Sequence, residues 1–262
     1  MATAEEVLST TYARFMKNWT FIQSLRQVAE VALPIATKEL LGQNAALVEA
    51  MSKDTDYKKI VVMKDGSETE WSDAVKQIFR IGMTDLSIAN FTAAIDGASI
   101  VFAQSVLDDC ALSFLRVCAL AAPKDWDQFI NERKVDFTTV REKDSDAIRE
   151  DLLNAKIEQM GQESLRKKIG MLFALCPPPS GFDPVGHYKF DQDRIDKIDN
   201  LRQSIIHHEG MGRQMTGVDG DLQYVLKTVH FLISLVHAKH GVKIDMSTMF
   251  PAAATAQASS GA

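Results

Sequence analysis

Apolar residues in this chain recur at the spacing of an α-helix, and the run Asp193 to Gly212, DRIDKIDNLRQSIIHHEGMG, shows how tightly that pattern constrains the fold. On a helix turning about 100° per residue, Ile195, Ile198, Leu201, Ile205 and Ile206 share an arc about 140° wide. Arg202 falls inside the same arc. A guanidinium turned into an apolar sector loses water, and its fixed fork of donors then needs a carboxylate, a phosphate or a carbonyl. Arg202 therefore calls for a structural partner or a ligand. His207 and His208 follow, and Gly210 and Gly212 supply a helix stop.

The same period governs most of the chain. Residues 3–31 and 34–52 give two helical patterns divided ahead of Pro34, because proline drives the residue before it out of helical geometry. Leu86 to Ala121 predicts two helices or one long kinked helix at the centre, around Ile100, Val106, Leu107, Leu115 and Val117. Residues 132–176 are charge-rich, with Ile148, Leu152, Ile157, Met160, Leu165, Ile169 and Leu172 close to a helical period, and predict an outer amphipathic helix pair. Residues 221–239 place Leu222, Val225, Val229, Leu232 and Val236 on one side of a helix that packs beside the Arg202 helix. One β feature interrupts this pattern. Tyr57 to Met63 reads as a strand, and Lys64-Asp65-Gly66-Ser67 as a tight turn, since Asp-Gly suits positive φ. Trp71 to Ile81 reads as a further helix capped by Ser72. The clearest break is Cys176-Pro177-Pro178-Pro179-Ser180-Gly181. The expected fold is an all-α helical bundle with an N-terminal helical extension and one small β-hairpin.

Composition narrows the function classes. A chain of 262 residues, 46% of them hydrophobic, buries a substantial core. No apolar run is expected to approach the roughly 20 residues of a bilayer span, the N-terminus lacks a signal-peptide layout, and the cytoplasm is the expected location. The net charge of −6 argues against broad electrostatic capture of nucleic acid, so any RNA contact is local. Arg166, Lys167 and Lys168, and the pair Arg133 and Lys134, read as solvated helix faces. Cys110, Cys118 and Cys176 read as buried free thiols rather than a disulfide framework or a thiolate zinc site. His230, His237 and His240 lie at spacings of seven and three, but no cysteine or acid completes a ligand set along the chain, and no metal is expected. No nucleophile elbow, Walker loop or His-Glu-x-x-His is present.

Arg202, four residues and then His207 resembles the R-x4-6-H motif of HEPN domains, the higher eukaryotes and prokaryotes nucleotide-binding superfamily of helical bundles. The resemblance covers residues 76–240. It divides the chain into an N-terminal segment 1–75, a HEPN-like bundle 76–240 and a flexible tail 241–262. In the family a polar residue follows the arginine; here it is Gln203, where asparagine, aspartate or histidine is more usual. The resemblance implies metal-free cleavage of RNA without a cofactor, with His207 as general acid or base and Arg202 holding the scissile phosphate. Gln203, His208 and Asp109 are supporting residues. Asp109, or its neighbour Asp108, is a candidate to answer Arg202 from the earlier helix, against the alternative that both aspartates are solvated.

An ideal helix sets Arg202 and His207 about 140° apart, and Arg202 and His208 about 120° apart the other way. The resemblance resolves this through a homodimer in which motif helices from two subunits share a cleft. It also implies RNA as substrate and a role in bacterial defence or a toxin–antitoxin pair, with an antitoxin or sensor as partner. Two alternatives stand beside the nuclease. One is a non-catalytic HEPN-like nucleotide- or RNA-binding or assembly module. The other is an unrelated helical scaffold in which an aspartate or Glu209 pairs with a buried Arg202.

Overall fold

The computed structural model describes residues 2–52, 60–62, 68–70, 86–130, 141, 143–207 and 215–245. Among them are seven α-helices: α1 Ala4–Ser52, α2 Leu86–Ala121, α3 Asp127–Ile130, α4 Ser145–Gly161, α5 Leu165–Leu175, α6 Gln192–His207 and α7 Val218–His240. Strands β1 Ile60–Val62 and β2 Glu68–Glu70 pair antiparallel, with Val61 opposite Thr69. Among the described residues the expected all-α fold is what forms, with this one strand pair beside the helices. The helix expected over 71–81, the residues 132–140 and the sequence beyond Asp245 lie outside the described residues.

The chain divides into two compact units. The first comprises Met1–Phe21, Phe102–Arg202 and Asp219–Ala262; the second comprises Ile22–Val101 and Gln203–Val218. The boundary between the units passes through the helices α1, α2 and α6. In the first unit the start of α1 is built into the bundle, where Leu8, Phe15 and Trp19 bury their side chains. Phe15 stacks on Trp19 and meets the edge of His230 on α7. Residues 243 and 245 bond to the start of α1. The amide of Asp245 donates to Ser9 Oγ at 2.8 Å, and Val242 is buried.

Two helical expectations change in the structure. Pro34 lies inside α1 and does not divide it. Its neighbours Val31 and Ile35 are 62% and 63% exposed, so water can reach the carbonyl that the missing N–H leaves without a helical bond. Leu86 to Ala121 forms one helix, and its stretch Ala89–Ala121 is long and apolar enough by composition to cross a bilayer, contrary to the expectation that no run would be. Within the protein 61% of its most apolar window is buried.

In the first unit, α4 and α5 form the expected amphipathic pair. Each is started by a side chain that accepts an otherwise unpaired backbone N–H. Asp144 accepts from Ala147 and Ser164 from Lys167. Ile157 and Met160 on α4 and Ile169 and Leu172 on α5 are buried, as their spacing predicts. In the second unit, Ile22, Ala29, Ala93 and Ile100 are buried, and Arg26 Nη1 meets Asp96 Oδ1 at 2.5 Å. Gly97 of α2 leaves room there for Ile205 of α6: a Cβ on Gly97 would stand 3.6 Å from Ile205 Cγ2.

Candidate functional site on the Arg202 helix

The position of α6 is set at its start. Asp191 accepts a bond from the Arg194 amide at 3.2 Å, the role of an N-cap. Tyr224 of α7 grips the same residue twice: its hydroxyl accepts from the Asp191 amide at 2.7 Å and donates to the Asp191 carbonyl at 2.9 Å. Arg194 donates through Nε and Nη2 to Asp221 Oδ1, at 3.2 and 3.0 Å, and its guanidinium lies 4.6 Å from the Tyr224 ring centre. The triple-proline break feeds this anchor. Tyr188 after it is buried and bonds Thr228 at 2.7 Å, and Phe190 packs edge-on against Phe173.

Further along α6, Ile195 and Ile198 are buried, and Arg202 is half-buried. Arg202 Nε is shut off from solvent and has no hydrogen-bond partner among the described residues. The carboxylate that feels its charge is Asp199, one turn earlier on the same helix. Burial pushes the Asp199 carboxyl up, Arg202 opposes that shift, and Asp108 and Asp196 add to it. Asp199 also accepts from Gln104 Nε2 of α2 at 2.6 Å.

Neither aspartate expected on the earlier helix answers Arg202. Asp109 is half-exposed and pairs with Arg14 of α1 at 2.6 Å. Asp108 accepts from Lys168 Nζ with both oxygens, at 2.8 and 2.7 Å, while its side chain stays 35% exposed. Lys168, expected on a solvated face, is only 2% exposed, while its neighbours Arg166 and Lys167 are exposed as expected. The boundary between the two units falls after Arg202. Gln203 and His207, both exposed, belong to the second unit, and His208 lies outside the described residues, as do Arg133 and Lys134.

Asp199 and Gln104 escaped the sequence reading. Asp199 carried a usable signal, since residues three apart on a helix are neighbours; Gln104 carried none. The histidines on α7 differ from expectation in one respect. His237 Nδ1 lies 2.9 Å from the Val242 carbonyl, and His230 Nε2 lies 3.5 Å from the Tyr12 hydroxyl. His240, for which no cysteine stands at ligand spacing along the chain, has Cys176 Sγ at 3.5 Å from Nε2. A cleft of about 780 Å³ in the first unit is lined by Arg116, Lys124 and Arg149 together with Asp146, Glu150 and Glu158, and by none of the expected site residues. No protein-family model, curated protein or solved structure matches this chain.

Proposed function

We propose that this protein is a metal-independent endoribonuclease of the HEPN kind, with Arg202 and His207 of α6 as its catalytic residues. One observation carries the reading: a half-buried guanidinium whose Nε has no partner among the described residues. A buried donor left unpaired costs about 1–3 kcal/mol, more when charged, and a phosphate oxygen removes that cost while matching the arginine fork. In the reaction the RNA 2′-oxygen attacks the adjacent phosphorus and the bond to the 5′-oxygen breaks. One proton leaves the 2′-OH and one reaches the departing oxygen. His207 serves both transfers as general base and general acid, and Arg202 stabilises the charge growing on the phosphoryl oxygens. The products are a 2′,3′-cyclic phosphate and a 5′-OH. Two copies of the chain supply arginine and histidine to a shared cleft, and an antitoxin or sensor protein fits the role of restraining such an effector.

A second reading, a module that binds RNA or nucleotides or serves assembly without cleavage, is favoured by Gln203 where asparagine, aspartate or histidine is more usual. One experiment separates the two. The full chain is incubated with mixed single-stranded and structured RNA in excess EDTA, beside Arg202→Ala and His207→Ala, with folding of each checked by circular dichroism. Cleavage to cyclic-phosphate ends, lost in both variants, supports the nuclease. RNA retained on the protein but uncut, with retention lost in Arg202→Ala alone, supports the binding module.

A further inference from the structure

Three side chains far apart in sequence meet in the first unit: Cys118, Cys176 and His240. Cys118 Sγ lies 3.6 Å from Cys176 Sγ, Cys176 Sγ lies 3.5 Å from His240 Nε2, and the three atoms all fall within 4.8 Å of one another. Tetrahedral zinc, with Zn–S of about 2.3 Å and Zn–N of about 2.0 Å, sets its ligand atoms roughly 3.5–3.8 Å apart. Two of the three edges already have that length. The geometry points to a zinc site formed by Cys118, Cys176 and His240, separate from the Arg202 helix and independent of any reaction there.

The backbone holds each ligand at a helix end. Cys118 is in the last turn of α2, where its carbonyl accepts from the Ala122 amide at 2.9 Å. Cys176 caps α5, with its amide donating to Leu172 at 2.7 Å. His240 closes α7, and Gly241 follows at φ 70°, its amide donating to the His237 carbonyl at 2.8 Å. The three residues thus lie at the C-terminal ends of three helices, where partial negative charge favours a cation. Two thiolates cancel the charge of a divalent ion, so the loaded centre is neutral apart from its surroundings and tolerates burial. Binding releases the two thiol protons to solvent.

Lys239, beside His240 in the sequence, pairs with Asp125 at 3.5 Å. Thiolate and imidazole donors select zinc over magnesium or calcium.

The test uses the full chain, expressed with zinc, purified without chelator under a thiol-free reductant and analysed by elemental mass spectrometry. About one zinc per chain is expected, falling below about a tenth of that in Cys176→Ser and His240→Ala. Cys110→Ser, at the third buried cysteine, keeps the metal. Because the variants can fold poorly, cobalt(II) titrated into metal-stripped wild-type protein gives a second readout, the intense sulfur-to-cobalt absorption of a tetrahedral thiolate centre. Folded, reduced protein that takes up neither metal overturns the proposal. So does protein that takes up no metal and has a Cys118–Cys176 disulfide, seen as an intact mass lower by two hydrogens.

Discussion

Lys168 and Arg202 lie in the same polar layer of the first unit, and both act on the Asp199 carboxyl, yet the fold treats them differently. Lys168 is 2% exposed and holds both oxygens of Asp108. Arg202 is less buried, but its Nε is sealed off without a partner among the described residues. A buried cation answered within the protein is part of its framework. A half-buried cation with one donor left unanswered carries a cost that other contacts of the fold must offset.

The comparison is most easily broken at Lys168. Asp108→Ala leaves that ammonium buried without its carboxylate, and a loss of about 3–5 kcal/mol of unfolding free energy is expected in urea titrations. Lys168→Met removes the buried charge instead, leaving Asp108 partly open to water, and is expected to be neutral or stabilising. If Asp108→Ala were as mild as Lys168→Met, the pair would not be the framework element described above. Arg202 should show the reverse pattern. Arg202→Met changes stability by less than about 1 kcal/mol, since no ion pair is lost, while RNA cleavage under the proposed function falls about 10²–10³-fold. A large loss of stability in Arg202→Met would make this arginine a second Lys168.

Asp199 sharpens the contrast with a smaller effect. Its carboxyl is pushed up by burial despite Arg202, so the fold prefers it protonated. The stability from that preference is present below the ordinary carboxylate range and is lost as pH rises through the raised value. Asp199→Asn keeps an acceptor for Gln104 and imitates the protonated form. Urea titrations at pH 4 and pH 7 should show the variant gaining on wild type as pH rises. A gain that shrinks with pH would mean that Arg202, and not burial, dominates at Asp199.

The sequence showed which segments are helical much better than it showed which groups meet. The span Leu86–Ala121, the amphipathic pair α4 and α5, and the hairpin strand at Ile60–Val62 follow from apolar period and turn chemistry, which are local. The path of α1 through Pro34 was missed because a proline rule cannot see that the orphaned carbonyl faces water. Lys168 was missed because three basic residues in a row look alike until the fold selects one to bury. The orientation of Arg202 was legible, since an apolar arc around an arginine is a local pattern. The destinations of Asp108 and Asp109 were not, because nothing in a helix's own sequence says which neighbour each residue faces. The Cys118, Cys176 and His240 cluster was hidden for the same reason: its members are 58 and 64 residues apart, and only the convergence of three helix ends brings them together.

His230 completes the comparison as a third solution for a basic group in the same unit. A lysine can be paired, and an arginine cannot shed its proton in a protein, but a histidine can be buried neutral. His230 sits between the Tyr12 and Phe15 rings of α1, each with its centre 6.0 Å away, and burial pushes its pKa down. At neutral pH it therefore costs the fold little. Below about 6.5 the unfolded chain gains a proton that the folded chain resists, so stability present above that pH is lost as pH falls toward the lowered folded value. His230→Phe keeps an aromatic ring against Tyr12 and Phe15 and removes the proton site. Its urea-unfolding free energy should change less between pH 7 and pH 5 than that of wild type, with a difference smaller than either effect at Asp108 or Arg202. An unchanged slope would move the acid sensitivity of this unit to another group and leave His230 as a packing residue alone.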